Sequence, residues 1–181
     1  MENSLLGKMQ GYSAGAVFSQ LRKNHALEHA TIHVLEKKHA RKQISGYSIF
    51  NGFWLLGELK IQDIQESVDV AIARLRNGEK QLAIHPGCGT NLVVSGLCTA
   101  VGAIAVMAGA DSAKKKADRF PTLAAVSSLM IMLSRPLGFQ TQKYVTTDPD
   151  MTGLQVVGIN SDEIFGLPAF FVETGWSSHG G

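Results

Sequence analysis

Asn91 to Ala110 reads NLVVSGLCTAVGAIAVMAGA and carries no charged side chain. At 1.5 Å rise per residue, a helix of this length covers the ~30 Å hydrocarbon slab of a bilayer. A polar, mostly basic connector follows (Asp111, Lys114, Lys115, Lys116, Asp118, Arg119). Then FPTLAAVSSLMIMLSRPLGF, Phe120 to Phe139, stays apolar until Arg135. A helix that is apolar all round needs a large core or lipid around it. A chain of 181 residues can hardly enclose two of them. The expectation is a transmembrane helical hairpin over residues 91–139, whose many Gly, Ala and Ser residues permit close helix approach inside a membrane.

Composition excludes several classes for the rest. Apolar residues make up 45% and charged residues 18%, which is incompatible with intrinsic disorder. Seventeen basic and fifteen acidic side chains leave a formal +2, too balanced for a bulk electrostatic grip on nucleic acid. Two cysteines, Cys88 and Cys98, cannot staple a secreted scaffold, and Cys98 inside the apolar run reads as a small buried hydrophobe. The first twenty residues lack a basic stretch followed by an apolar core, so they are expected to be a short arm rather than a signal peptide. No glycine-rich phosphate cradle is present.

Around the apolar hairpin the text alternates. Leu21 to Ala40 predicts a helix, with Asn24 as its expected N-cap and Lys37-Lys38 suiting its C-terminal dipole. ISGYSIF and FWLLGEL flank Asn51-Gly52, a β-hairpin signal in which Asn-Gly would form the turn. Ile61, Ile64, Val68, Ala71, Ile72 and Leu75 repeat at helical spacing up to Asn77-Gly78, and Gln81 to Ile84 is expected to be a short strand. In the tail, LQVVGI and AFFVE are β-like, Asp148 and Asp150 read as turn residues, and WSSHGG as a frayed end. The expected fold is α+β. A small α/β unit over 1–90 (helix, β-hairpin, helix, strand) is joined to the apolar hairpin of 91–139, and a β-containing tail of 140–181 packs back on the first unit.

Histidine carries the chemistry. His25 and His29 stand one helical turn apart and project from one face, with His33 continuing it. With Glu28 they spell H-x-x-E-H, the reverse of the commoner zinc-hydrolase order. Two neutral imidazoles suit a borderline ion such as zinc, while the adjacent carboxylate can take a proton from bound water. His85-Pro-Gly-Cys88-Gly-Thr90 then offers a His and a thiol in a turn stiffened by Pro and opened by Gly. Each motif alone is as well explained by packing. Together they specify a shared site.

HALEHATIH, HPGCGTN and PLGFQTQKYVTTDPD resemble, in this order, three signatures of the YqhQ-like family of bacterial membrane proteins, and the chain resembles more closely still a smaller relative of that family with a HALEHAT motif. The resemblance spans about residues 24–150. It implies a membrane-embedded, metal-dependent protein and carries over to His25, Glu28, His29, His85, Cys88, Gly89 and Thr90. Gln142, Thr146, Thr147, Asp148 and Pro149 match the late stretch. Leu27 and Ala30 depart from the family's small and basic residues at those places, which bears on the substrate.

Two functions follow as expectations. In the first, a membrane-associated zinc hydrolase holds zinc, or another divalent transition metal, on His25, His29 and His85; Glu28 is the general base, and Thr90 or the loop N–H groups steady the oxyanion. In the second, Cys88 completes a closed His/His/His/Cys structural site, and the protein serves scaffolding or assembly of a membrane complex. The expected partners are membrane lipids and a small-molecule, lipid or peptide substrate, with no nucleic acid. The expected location is a bacterial inner or thylakoid-type membrane, with the metal-bearing unit on the cytoplasmic side.

Overall fold

The computed structural model describes residues 13–40 and 42–176, and the chain divides into two compact units: Met1–His85 with Thr146–Gly181, and Pro86–Val145. The fold is mixed α/β, with helices, one four-stranded antiparallel sheet and two long apolar helices. The expected arm falls outside the described residues as far as residue 12, as does WSSHGG beyond Trp176.

The first unit is built around α1 (Ala14–Lys38). This helix starts earlier than its expected position, because Ser13 rather than Asn24 is the N-cap: Ser13 Oγ accepts the Ala16 N–H at 3.2 Å. Asn24 lies inside the helix and is buried. Its amide donates to Ile49 O and Phe50 O at 2.9 Å, and its oxygen accepts the Thr174 hydroxyl at 2.8 Å. From Lys23 to Ile32 nearly every residue of α1 is buried, since the helix packs against both strands of a hairpin, a second helix and a short turn.

That hairpin is β1 (Ser45–Ile49) and β2 (Gly52–Leu56). Ile49 pairs with Gly52, so Phe50-Asn51 form the turn and the expected Asn-Gly turn is displaced by one residue. Gly52 serves a different need. It has φ +154°, and a Cβ there would stand 2.2 Å from Val172 O on the neighbouring strand.

α2 (Ile61–Arg76) buries Ile64, Ser67, Val68, Ala71 and Leu75, the amphipathic stripe its spacing predicts, and stops at Gly78 with φ +89°. The expected strand at 81–84 is instead a 3₁₀ turn, Lys80–Ala83. Its reason is long-range: the carbonyls of Ala83 and Ile84 bond to imidazoles of α1, not to a strand. The tail forms β3 (Leu154–Ile164) and β4 (Leu167–Trp176). The sheet order is β1-β2-β4-β3, with Phe53 opposite Val172 and Leu55 opposite Phe170. Leu27, Leu35, Phe53, Leu55, Ile64, Val68 and Val172 are fully enclosed in one core.

The second unit is a helical hairpin, α3 (Gly89–Met107) and α5 (Phe120–Thr141), linked through the short α4 (Ala113–Asp118). Both long helices are long and apolar enough to cross a membrane, and little of either is buried. Their mutual face is made of small and polar residues. A Cβ on Gly102 would meet Met130 Cγ at 2.9 Å, and one on Gly138 would meet Asn91 Oδ1 at 2.4 Å. Ser95 and Ser134 hydroxyls share a 2.6 Å hydrogen bond, and Gln142 Nε2 donates to Asn91 Oδ1 at 2.7 Å. Lipid supplies no hydrophobic force between helices, so close contact and polar bonds are what hold such a pair. Arg119 caps the end of α3 by donating to the Val106 and Ala108 carbonyls, groups a helix terminus would otherwise leave unsatisfied.

Candidate metal centre

At 100° per residue, positions 25, 29, 33 and 36 of α1 fall within an arc of about 80°. His25, His29, His33 and Glu36 thus form one stripe, and the segment after α2 brings His85 against it. Ring centroids lie 4.3 Å apart for His25 and His29, 5.8 Å for His29 and His85, and 4.7 Å for His33 and His85. Two imidazoles on one ion with bonds of 2.0–2.1 Å stand roughly 5 Å apart between centroids, so all three spacings are within reach of shared ligation.

The tautomers are set by the backbone. His25 Nδ1–H donates to Thr146 O at 2.9 Å, His29 Nδ1–H to Ala83 O at 2.7 Å, and His33 Nε2–H to Ile84 O at 2.9 Å. A ring N–H committed to a carbonyl fixes the ring's orientation and makes the other nitrogen the ligating one, the arrangement that surrounds most protein-bound metals. The donors are therefore Nε2 of His25 and His29 and Nδ1 of His33. Burial first, and then the adjacent His25 ring, push the pKa of His29 down to about 3. The imidazole is neutral at ordinary pH, as a metal ligand must be.

Glu28 is 4% exposed. Its carboxylate accepts the Ser48 hydroxyl at 2.5 Å, and it packs where Gly46 has no side chain: a Cβ on Gly46 would come within 2.7 Å of Glu28 Oε1. Burial raises its pKa, while the Ser48 bond and the neighbouring His25 pull it back. A carboxyl whose pKa is held above its ordinary value is better suited to accept and return a proton.

Glu36 and His33 complete a further group with His85. One ligand atom from each lies within 4.8 Å of the others, and His85 Nε2 stands 3.3 Å from Glu36 Oε2. The first unit thus has His and Glu side chains positioned to bind a metal ion. Cys88 and Thr90 belong to the second unit, where Cys88 is the N-cap of α3 and its Sγ accepts the Thr90 N–H at 3.4 Å. His39 is turned to Asp63 at 3.1 Å and stands apart from this stripe. Asp148 and Asp150 act as turn residues, each accepting the backbone N–H two residues on. Glu36 is the ligand candidate that motif reading missed. The signal was the eleven-residue step from His25, which returns to the same face.

The chain matches, over residues 20–159, a family described as a domain of unknown function, DUF6391. It is 34% identical to an uncharacterised protein of the cyanobacterium Picosynechococcus sp., across 86% of this chain and 80% of that protein. The chain belongs to the DUF6391 family. No solved structure matches it.

Proposed function

We propose that this protein is a membrane-embedded metal-dependent hydrolase of the YqhQ-like type. Its ion, zinc or another divalent transition metal, rests on His25 and His29, with a further donor from the turn that begins at His85. The observation that carries this reading is the paired donation of the His25 and His29 ring N–H groups to backbone carbonyls, which orients two imidazoles one helical turn apart. When bound, such an ion lowers the pKa of a coordinated water to about 7 and polarises a carbonyl. Glu28 takes the proton from the attacking water and delivers it to the leaving group as the acyl bond breaks. Ser48 holds the carboxylate in place for both transfers. The length and apolar composition of α3 and α5 support a bilayer location, and membrane lipids are the first partners proposed. A lipid or membrane peptide is the substrate class that location favours.

The test is elemental analysis of the detergent-purified chain combined with hydrolysis of a chromogenic ester and a fluorogenic peptide amide. Near-stoichiometric metal is expected. His29→Ala should lose it, and Glu28→Gln should keep it while turnover falls about 10²–10⁴-fold, the contribution of a positioned base. Metal-free wild-type protein after purification without chelator, and no uptake of added zinc, would overturn the proposal.

The Ser48–Glu28 hydrogen bond supports a second reading. A carboxylate tied to the hairpin also suits a non-enzymatic metalloprotein that scaffolds a membrane complex. Under that reading Glu28→Gln alters stability alone, and neither ester nor amide is turned over.

A further inference from the structure

We propose that His33, Glu36 and His85 form a second metal position on the same helix face, so that the loaded protein carries two divalent transition-metal ions per chain. The count of two rests on the His25/His29 reading above; the second position stands on its own geometry.

That geometry starts with a distance that fits a hydrogen bond poorly. A charge-assisted N–H···O bond is about 2.7–2.9 Å long, whereas His85 Nε2 and Glu36 Oε2 are 3.3 Å apart. With bonds of 2.0–2.2 Å, two ligands of a tetrahedral ion are separated by roughly 3.4 Å. The pair already spans one edge of such a tetrahedron. His33 supplies the next corner: its Nε2–H is committed to Ile84 O, which makes Nδ1 the donor. Its ring meets the His85 ring at 4.7 Å. Every ligand-atom separation in the group is within 4.8 Å, so none has to shorten by more than about 1.4 Å to reach tetrahedral spacing. The Glu36 side chain, 43% exposed, can supply that movement, and its exposure gives ions access from solvent.

The backbone supports the same assignment. Ala83 and Ile84 offer consecutive carbonyls to His29 and His33, so the approach to His85 is locked in register with α1 before any ion binds. Hydrogen bonds that orient the ligating rings in this way before an ion arrives are what metal sites share. Two imidazoles and one carboxylate, with room for water, suit zinc, cobalt or manganese rather than calcium or magnesium. The ion fastens the segment that carries His85 to the last two turns of α1.

Titration of the chelator-stripped full chain in detergent with Co(II) tests this, following the visible absorption bands and the metal retained after desalting. Two ions per chain are expected for wild type and one for His29→Ala. Glu36→Gln should retain one ion and bind the second at least about tenfold more weakly. His33→Ala should do the same, as a check that the effect belongs to the position and not to one side chain. His39→Ala, a histidine of the same neighbourhood paired with Asp63, should still bind two. One ion in both wild type and Glu36→Gln, with equal affinity, overturns the second position. Loss of all metal in both His29→Ala and Glu36→Gln also overturns it, because one ion would then be shared by every donor. One ion in wild type and His29→Ala but none in Glu36→Gln upholds the second position and removes the His25/His29 reading.

Discussion

The two units solve the burial problem in opposite directions. In the first, Leu27, Leu35, Phe53, Leu55, Ile64, Val68 and Val172 are enclosed, and the polar groups buried with them, Asn24, Glu28 and His29, each have a named partner. In the second, the buried positions include Gly102, Ser134, Gly138 and Gln142, while Leu92, Val101 and Ile104 are 77%, 66% and 72% exposed. One unit hides oil and spends hydrogen bonds on most of the polarity it traps, the buried Ser67 Oγ being an exception. The other hides small and polar residues and shows its oil. The first pattern fits water as solvent, the second lipid. A functional group placed in the first unit can be desolvated selectively, as Glu28 and His29 are.

The largest test of this contrast compares two leucines. Leu27 is fully buried and Leu92 largely exposed. Leu27→Ala removes core packing and leaves a cavity, a loss of about 2–5 kcal/mol. Leu92→Ala removes no intramolecular packing and should cost under about 0.5 kcal/mol. Denaturant unfolding in detergent, followed by near-ultraviolet circular dichroism, reads both. Equal losses would mean that α3 is enclosed by something other than lipid.

A pair of valines sharpens the contrast from the surface side. Val70 on α2 and Val101 on α3 are both exposed. In water, Val70→Lys should change stability by no more than about 0.5 kcal/mol. At the centre of a membrane helix the same change costs about 3 kcal/mol, so Val101→Lys should cut the membrane-extracted yield severalfold and shift the chain toward the aggregated fraction. Equal recovery of the two variants in the membrane fraction would break the assignment of α3 to the bilayer.

Legibility in the sequence followed the same division. The apolar hairpin and α2 were readable because each depends on a local pattern: an uncharged run, and an i, i+3, i+4 stripe ended by Gly78. What the sequence concealed depends on partners far along the chain. α1 is buried on several sides, so its apolar residues show no clean stripe and its start was misplaced. Asn24 resembled a cap because its three partners, Ile49, Phe50 and Thr174, are remote. Gly52 resembled a turn residue because nothing local announces Val172 O. The strand expected at 81–84 was lost to His29 and His33, which take the carbonyls a neighbouring strand would have used. At the site, the H-x-x-E-H spacing pointed to His25, Glu28 and His29, but Glu36 lies outside that motif and becomes visible only once α1 is known to run unbroken to Lys38.

The smallest effect concerns charge, which the first unit uses and the two long apolar helices largely avoid. Asp150 accepts from the Thr152 N–H and from the ammonium of Lys23 at 3.1 Å, and Lys23 also lies over the Trp176 ring at 4.9 Å. Hydrogen bonding from Thr152 first, and then from Lys23, holds the Asp150 carboxyl down at about 2 against an ordinary 3.8. A carboxyl depressed on folding stabilises the native state above the unfolded value, and that contribution disappears as pH falls from 3.8 toward 2. Because the Asp150 side chain is 60% exposed, solvent and salt screen the pair and the contribution stays under about 1 kcal/mol. Asp150→Asn should therefore lower the urea midpoint slightly at pH 7 and low salt, less at 1 M salt, where the Debye length is about 3 Å. The difference from wild type should close as pH approaches 2. A gap that persists at pH 2 would assign the loss to the geometry of the turn at Asp150 rather than to its charge.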